Sequence, residues 1–337
     1  MKKINVAVWG LGPHAVKNIL PALKLSQATS LYGICSRNSD TIAKCSSEFG
    51  CLSWNNPKQM LEDSNLDVIY LSTPTGLHAS QGREVLLANK HLWCEKPFAD
   101  NLENVAMLVD LSRERNLTLA EGFMYLYHPQ FIQLKRIFES GKLGKISQII
   151  CNFGIPPLER SSFRNNVSLG GGALLDVGSY LVSAMVSLFS VANPQVIFTE
   201  IMMSPESQVD TDGISVLRYP NGTRAILRWG THRSYRNEID FWGEKGSVYT
   251  QYIFSKSADY VPKFRFLDRH GIESQEEGRS ANHFLEMMSV FCRLVGSSAD
   301  AEREREAITR RAQLIDKIKK TKIKGEAYGE MERCCTG

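Results

Sequence analysis

Two short stretches carry residue types that could do chemistry together. The first is Cys94-Glu95-Lys96-Pro97, a charged pair followed by proline at the end of an apolar run. An ammonium held at the edge of a sheet can polarise a carbonyl, stabilise a developing alkoxide or relay a proton. Burial or a like charge would bring its pKa down toward the working pH. The second stretch is Gly10-Leu11-Gly12-Pro13-His14-Ala15, a G-x-G-x-x-A pattern. It follows a strand over Ile4–Trp9 and opens a helix over about Ala15–Leu25. Gly10 permits the tight turn, Gly12 lets a pyrophosphate approach the backbone, and Ala15 is small enough for close helix–strand packing. The N–H groups and positive dipole end of the helix suit an anion. In this context the pattern predicts a dinucleotide held by Gly10, Leu11, Gly12, Pro13 and His14.

The end of the second strand reports on the ribose. An NAD site tends to place an acidic residue there for the 2′-hydroxyl. Here the tip reads Cys35-Ser36-Arg37-Asn38, and the first acidic residue is Asp40. A hydroxyl on Ser36 beside the Arg37 guanidinium suits a 2′-phosphate, so NADP(H) is the expected cofactor, with NAD the second possibility. Ser72-Thr73-Pro74-Thr75-Gly76-Leu77-His78 closes a further strand at the carboxyl edge, where ligands of such sheets bind. Ser72, Thr73 and Pro74 are expected to flank the cofactor, as are Glu95 and Lys96. His78 is expected to cap the next helix or to pack beside the ribose, without a catalytic role.

The elements that must position these residues follow from hydrophobic period. Strands are predicted at Ile4–Trp9, Leu31–Cys35, Asp67–Ser72, His91–Glu95 and Leu117–Glu121. Helices fall between them at about Ala15–Leu25, Ser39–Phe49, His78–Asn89 and Asn101–Asn116. A short strand near Cys51–Trp54 is expected between two of these. Runs such as Val68-Ile69-Tyr70-Leu71 are apolar on both faces, as a parallel sheet covered by helices requires. The alternation predicts a doubly wound α/β Rossmann domain over residues 1–122.

The pattern then changes. A helix over Pro129–Ser140 leads to a long strand, Lys145–Phe153, and a glycine-rich stretch precedes a helix over Ala173–Phe189. Strands at Val196–Met203, Gly213–Tyr219, Thr223–Gly230 and Ile239–Trp242 follow without crossover helices, which predicts an open, mainly antiparallel sheet. Pro220-Asn221-Gly222 and Glu244-Lys245-Gly246 read as turns. Helices over Asn282–Leu294 and Ala301–Lys320 end the chain. Residues 123–337 are thus expected to form an α+β domain for substrate binding and oligomerisation, with unread loops at 155–170 and 255–280.

Composition narrows the class. The chain has 337 residues, 43% hydrophobic and 23% charged, with a net charge of +4. That bias is too small to predict a nucleic-acid partner. The one basic run, Lys317 to Lys324, reads as the solvated end of a helix, where cations suit the dipole. No stretch is read as approaching the ~20 apolar residues of a membrane span. The run after Met1-Lys2-Lys3 is too short for a secretory leader, so a cytoplasmic location is expected. Among eight cysteines there is no C-x-x-C pair. Cys35, Cys94 and Cys151 read as small buried hydrophobes in a reducing compartment, and Cys334-Cys335 as part of a frayed tail. The seven histidines are scattered without ligand-like spacing, so no metal site is expected.

The glycine fingerprint, the Thr-Pro-Thr-x-x-His sequence and Glu95-Lys96-Pro97 together resemble the glucose–fructose oxidoreductase/inositol dehydrogenase family, often written Gfo/Idh/MocA. The similarity covers nearly the whole chain, including Gly170-Gly171-Gly172-Ala173-Leu174-Leu175-Asp176-Val177-Gly178-Ser179-Tyr180. The resemblance implies that Lys96 is the catalytic lysine, often followed by a cis bond to proline. Many members carry His where Tyr180 stands. The tyrosine is similar to the branch of sugar 3-ketoreductases, dihydrodiol dehydrogenases and xylose dehydrogenases, as is the stretch from Glu121 through Tyr125 to Gln130. In that branch Tyr180 would exchange a proton with the substrate oxygen, and a nearby ammonium would lower its pKa. Asp176, four residues earlier on the same helix face, would orient a sugar hydroxyl or Lys96. Lys96, Tyr125, Asp176 and Tyr180 are the expected substrate contacts, and Arg164 a contact to nicotinamide or substrate. Gly170-Gly171-Gly172 would let backbone approach the ligand, and Asn282-His283 would face the cleft. The resemblance also implies dimers or tetramers paired through the C-terminal sheet.

The leading expectation is an NADP(H)-preferring oxidoreductase that acts on a sugar, cyclitol or nucleotide-linked keto sugar. A trans-dihydrodiol or aldose dehydrogenase is the alternative substrate class. A regulator that senses dinucleotide without turnover is the alternative of another class.

Overall fold

The structure is a computed structural model and describes residues 3–157, 159 and 161–324. Its first sheet has six strands: β1 (Ile4–Trp9), β2 (Thr29–Cys35), β3 (Leu52–Trp54), β4 (Val68–Leu71), β5 (His91–Cys94) and β6 (Leu119–Glu121). They lie in the order β3-β2-β1-β4-β5-β6 and every pairing is parallel. The four residues of β4 are fully buried, as a sheet covered on both faces demands. Strand order reverses between β1 and β4, which opens a crevice at their carboxyl ends. The short strand β3 falls between β2 and β4 in the chain, as expected, and lies at the sheet edge against β2, a position that half-exposed Leu52 fits.

The first helix starts with a π-helical stretch, Ala15–Ile19, before α-helix Leu20–Leu25. Pro21 explains it: proline has no N–H to donate and its ring clashes with the carbonyl four residues back, so the preceding turn widens.

The second sheet has nine strands: β7 (Ile146–Gly154), β8 (Gln195–Met203), β9 (Asp210–Arg218), β10 (Arg224–Gly230), β11 (Arg236–Gly243), β12 (Gly246–Gln251), β13 (Lys263–Asp268), β14 (Glu273–Glu277) and β15 (Lys322–Lys324). Their order is β14-β13-β12-β11-β7-β10-β9-β8-β15. The sheet is mainly antiparallel, but β7 pairs with β10 and β8 with β15 in parallel. Pro220-Asn221-Gly222 does join β9 to β10, closed by Tyr219 N–H on Thr223 O. β13 and β14 occupy part of the loop expected at 255–280. Phe264 and Phe266 of β13 alternate inward, a period-two signal, whereas all five residues of β14 are exposed.

Helix Ser298–Thr321 belongs to the second half of the chain in sequence yet packs against helix Leu102–Glu114 and β6. Buried Arg305 fastens it there, donating to Ser112 Oγ at 3.0 Å and Leu117 O at 2.7 Å. The basic run at its end is not simply solvated. Ile318 is fully buried, Lys319 reaches Asp100 O at 3.1 Å, and the chain continues into β15.

Val167–Leu188 meets the length and composition of a membrane span, with mean hydropathy 1.4, contrary to the expectation that no stretch does. It is 78% buried in the fold, as a core helix is. Cys35, Cys94 and Cys151 are buried, and burial pushes all three thiols up. Cys334-Cys335 lies outside the described residues.

Candidate active site

The carboxyl edge of the first sheet gathers four loop tips from β1, β2, β4 and β5. Gly10 has φ +104°, and a Cβ there would come within 2.6 Å of Ser72 O, so only glycine lets the first tip lie against the third. At Gly12 a Cβ would meet nothing within 4 Å, so the backbone there faces open space in which a pyrophosphate fits. Ser36 and Arg37 stand at the second tip, where Arg37 is exposed and makes no ion pair among the described residues. The residues present therefore fit a dinucleotide.

His14, Tyr70 and Glu95 form one chain of contacts. Tyr70 donates from its hydroxyl to Glu95 Oε1 at 2.6 Å, and His14 Nε2 lies 3.2 Å from the same oxygen. Asn18 faces His14 Nδ1 at 3.2 Å, which assigns the ring proton to Nε2. Burial opposes the charge on Glu95, but His14, Tyr70 and Lys96 outweigh it and hold its carboxyl below the ordinary range.

His78 neither caps the next helix nor reaches a ribose. It is 1% exposed, with Nε2 2.8 Å from Thr73 O and Nδ1 3.1 Å from Pro97 O. Burial lowers its pKa, so the neutral ring donates to one carbonyl, and the shorter contact marks Nε2. His78 thus holds the Thr73-Pro74 tip through Nε2–H and packs against the turn after β5. Thr73 Oγ1 in turn donates to Gln81 Oε1 at 2.6 Å.

The Lys96–Pro97 bond is cis. Lys96 crosses to the second half of the chain. Its ammonium donates to Asp176 Oδ1 at 2.9 Å and to Asp176 O at 2.6 Å. Asp176 sits in a π-helical turn, Leu174–Gly178, a geometry frequent at functional sites. Arg164 takes its other oxygen, Nε to Oδ2 at 2.7 Å, while its guanidinium lies over the Phe163 ring. Burial pushes the Asp176 carboxyl up, but the two cations outweigh that and hold it below the usual range. Lys96, Asp176 and Arg164 come together; the carboxylate is occupied by the two cations.

Tyr180 follows in α-helix Ser179–Leu188, 7% exposed, with the Lys96 ammonium 4.7 Å from its ring centre. The ammonium lies over the ring face. The expected lowering of the phenol pKa is not seen: burial, then the charges of Glu95 and Asp176, push it well up. At neutral pH the hydroxyl keeps its proton. Met124 Sδ, 3.8 Å away, is its contact.

Tyr125 is not a substrate contact. Its side chain is fully buried and its hydroxyl is engaged with Ser183 Oγ at 2.6 Å and Tyr180 O at 3.1 Å, so it braces the Tyr180 helix from behind. The glycine triplet likewise serves packing rather than ligand approach. At Gly170, φ +73°, a Cβ would come within 2.8 Å of Gly76 N, and the loop 163–170 lies on the Thr75–Leu77 turn. Asn282 caps helix His283–Val295 through Phe284 N–H and Leu285 N–H, and the Phe284 ring meets His14 at 5.5 Å.

One support had no sequence signal. Glu121 Oε1 accepts Phe98 N–H at 2.7 Å, just beyond Lys96-Pro97. Its other oxygen lies 2.6 Å from Arg311 Nε, in close ion-pair contact but not aligned as a hydrogen bond. Arg311, buried in helix Ser298–Thr321, also reaches Glu304 at 2.6 Å, and those two carboxylates hold it charged against burial. An arginine in an amphipathic, arginine-rich helix gives no hint of this in sequence; only packing selects Arg311 from its neighbours.

Known proteins place this arrangement. Residues 4–123 match the model of an oxidoreductase family with an NAD-binding Rossmann fold, and residues 131–249 match the GFO/IDH/MocA C-terminal domain. A dTDP-3,4-didehydro-2,6-dideoxy-α-D-glucose 3-reductase of Saccharopolyspora spinosa is 28% identical over 99% of this chain and 98% of its own. A 3-ketoreductase from Actinomadura kijaniata, solved with NADP and TDP-benzene, superposes with a TM-score of 0.90 at 28% identity, covering 96% of this chain and 99% of that one. A D-xylose 1-dehydrogenase (NADP(+)) of Haloferax volcanii is 30% identical over 65% of this chain and 66% of its own. The chain belongs to the GFO/IDH/MocA oxidoreductase family.

Proposed function

We propose that the protein is an NADP(H)-preferring sugar oxidoreductase, with residues 1–122 binding the dinucleotide and 123–337 the substrate. When bound, the nicotinamide supplies or takes up the hydride. The reading rests above all on the meeting of Lys96 and Tyr180 over one ring, at the edge where a dinucleotide fits.

In the reducing direction Tyr180 donates the proton to the carbonyl oxygen. A phenol whose pKa is pushed well up by burial and by Glu95 is a reservoir that keeps its proton until an alkoxide develops beside it. Lys96 supplies positive charge next to that oxygen and to the phenolate left behind. Asp176 and Arg164 fix the ammonium; Asp176 therefore orients Lys96 rather than a sugar hydroxyl. In the A. kijaniata ketoreductase, solved variants replace a lysine by alanine and a tyrosine by phenylalanine. Those two positions are as far apart in sequence as Lys96 and Tyr180 are here.

The NADP preference is supported by the free Arg37 beside Ser36 and by the NADP named for relatives. Free thiols at six described cysteines are consistent with a cytoplasmic location. Assembly into dimers or tetramers through the outer face of the second sheet completes the proposal.

The test is turnover. Purified enzyme with NADPH is assayed against a panel of nucleotide-linked keto sugars, and with NADP+ against free aldoses and trans-dihydrodiols. Activity on the first panel that falls in Lys96→Ala and Tyr180→Phe supports the reading. Activity confined to free aldoses or diols transfers it to the dehydrogenase alternative. Cofactor binding without turnover on any panel favours the regulator.

A further inference from the structure

Lys96 is placed by Asp176, and Asp176 is placed in turn by a residue with no part in the chemistry above. The π-helical turn Leu174–Gly178 has no side-chain cap of its own, because Ala173 stands before it. The first N–H groups of a helix lack partners inside it, and a carboxylate suits them both as acceptor and as charge. Asp210, the first residue of β9, supplies that carboxylate. Its Oδ2 accepts Leu174 N–H at 2.6 Å, thirty-six residues away in the chain.

The other oxygen lies against Gly172. That residue has φ +117°, and a Cβ on it would overlap Asp210 Oδ1. Gly172 joins two arms of the site. Its N–H donates to Arg164 O at 3.0 Å, and its carbonyl accepts Asp176 N–H at 3.0 Å. Arg164 and Asp176 are the two residues whose side chains meet at 2.7 Å beside the Lys96 ammonium. One carboxylate on the second sheet thus bears on both backbone segments around that cation.

The support behind Asp210 is sheet and helix. Asp210 pairs with Met203 of β8, and the next residue, Thr211, accepts Thr231 N–H on its carbonyl at 2.8 Å. Lys319, from helix Ser298–Thr321, donates to Asp100 O at 3.1 Å, and its charge acts on Asp210 and Asp100 together. Asp100 lies between Lys96-Pro97 and helix Leu102–Glu114. One cation therefore links the segment after Lys96 to the start of β9, independently of the Lys96–Asp176 contact.

We propose that Asp210 is a positioning residue for the reaction: it sets the turn that carries Asp176 and, through that turn, the place of the Lys96 ammonium over Tyr180. The route is the backbone. Lys96 donates to Asp176 O at 2.6 Å as well as to its carboxylate, so the ammonium follows the turn itself. A catalytic group displaced by about 1 Å can cost roughly a hundredfold in rate. The inference rests on the reading of Lys96 and Tyr180 as the reacting pair; it adds that a strand of the second sheet holds that pair in register.

The experiment compares Asp210→Asn, which keeps an oxygen for Leu174 N–H, with Asp210→Ala, which does not, in the full-length protein loaded with NADP+. Hydrogen exchange read by mass spectrometry should rise at residues 172–178 in Asp210→Ala, rise less in Asp210→Asn, and stay unchanged in β10. With NADPH and the nucleotide-linked keto sugars of the turnover panel, Asp210→Ala should lower kcat by about ten- to a hundredfold and Asp210→Asn by about three- to tenfold. KM and the Kd for NADP+ should stay within about twofold in both. In a Lys96→Ala background, adding Asp210→Ala should cost no more than about a further twofold, because the group it positions is gone. A parent-like kcat in every variant that folds would make Asp210 a purely structural cap and overturn the proposal. So would a loss of the same size with and without Lys96. If the alanine variant does not fold, Asp210→Asn alone carries both readouts. Exchange needs no turnover, so the hold of Asp210 on the turn is read even if Lys96→Ala proves fully active and the reading of Lys96 itself fails.

Discussion

Lys96 bonds Asp176 twice, through the carboxylate at 2.9 Å and through the main-chain carbonyl at 2.6 Å. A residue at the tip of the first sheet is thereby locked onto a wide helical turn of the second half of the chain, directly above the Tyr180 ring. The lock sets the position of the ammonium over the ring.

From that position, Lys96→Ala and Tyr180→Phe should each lower kcat by roughly 10²–10⁴-fold, the scale of acid–base catalysis. Tyr180→Phe deletes only a hydroxyl whose contact is a sulfur, so its fold and NADP+ affinity should match the parent. Steady-state kinetics with cofactor titration check this; full activity in both variants would refute the assignment.

Asp176→Asn keeps the shape of the site and removes the charge that balances Lys96 and Arg164. Breaking one side of a buried ion pair costs about 3–5 kcal/mol when an uncompensated charge remains, and Arg164, partly exposed, relieves some of that. The expected result is a lower melting temperature and a fall in kcat larger than any rise in KM.

Arg37→Ala should lower kcat/KM for NADPH by about ten- to a hundredfold, the worth of a charge-assisted phosphate contact, and leave NADH nearly unchanged. Comparable kcat/KM for the two cofactors in the parent protein would defeat the ribose argument while leaving the Lys96–Tyr180 chemistry standing.

Arg311→Met should act at a distance. Without Arg311, Glu121 is a buried carboxylate with burial and Glu304 pushing its pKa up, and the hold on Phe98 N–H loosens. Stability should fall by about 3–5 kcal/mol. In the folded fraction kcat should fall more than KM rises, and the pairing of Arg311→Met with Glu121→Gln should recover stability relative to the single change.

His128 and His283 are buried, and burial together with the Lys256 charge brings both down to about 3. Between about 3 and the ordinary histidine value near 6.5, the unfolded chain binds protons that the folded chain does not. Stability present above that window is therefore lost as pH falls through it, by up to about 1.4 kcal/mol per pH unit for each ring. Thermal melts from pH 7.5 to 4.5 should show the decline, and His128→Gln with His283→Gln should flatten it.

Much of this protein was determined by local sequence. Gly10, Gly12 and Ala15 after an apolar strand are a backbone requirement, and they specify a turn wherever the rest of the chain goes. The fully apolar run Val68–Leu71 demands cover on both faces, which sets the parallel sheet. Lys96, Asp176 and Tyr180 were legible because their residue types and order resemble a family pattern. Tertiary structure decided the rest, since burial and partnership are properties of residues far apart in sequence. Tyr125 and Tyr180 look alike as neighbours of motifs, but packing buries the first against Ser183 and leaves the second under an ammonium. The same packing reversed the expected direction of the phenol pKa, because burial and the charges of Glu95 and Asp176 push it up. Arg311, nearly two hundred residues from the glutamate it holds, acquires meaning only when the chain closes around it.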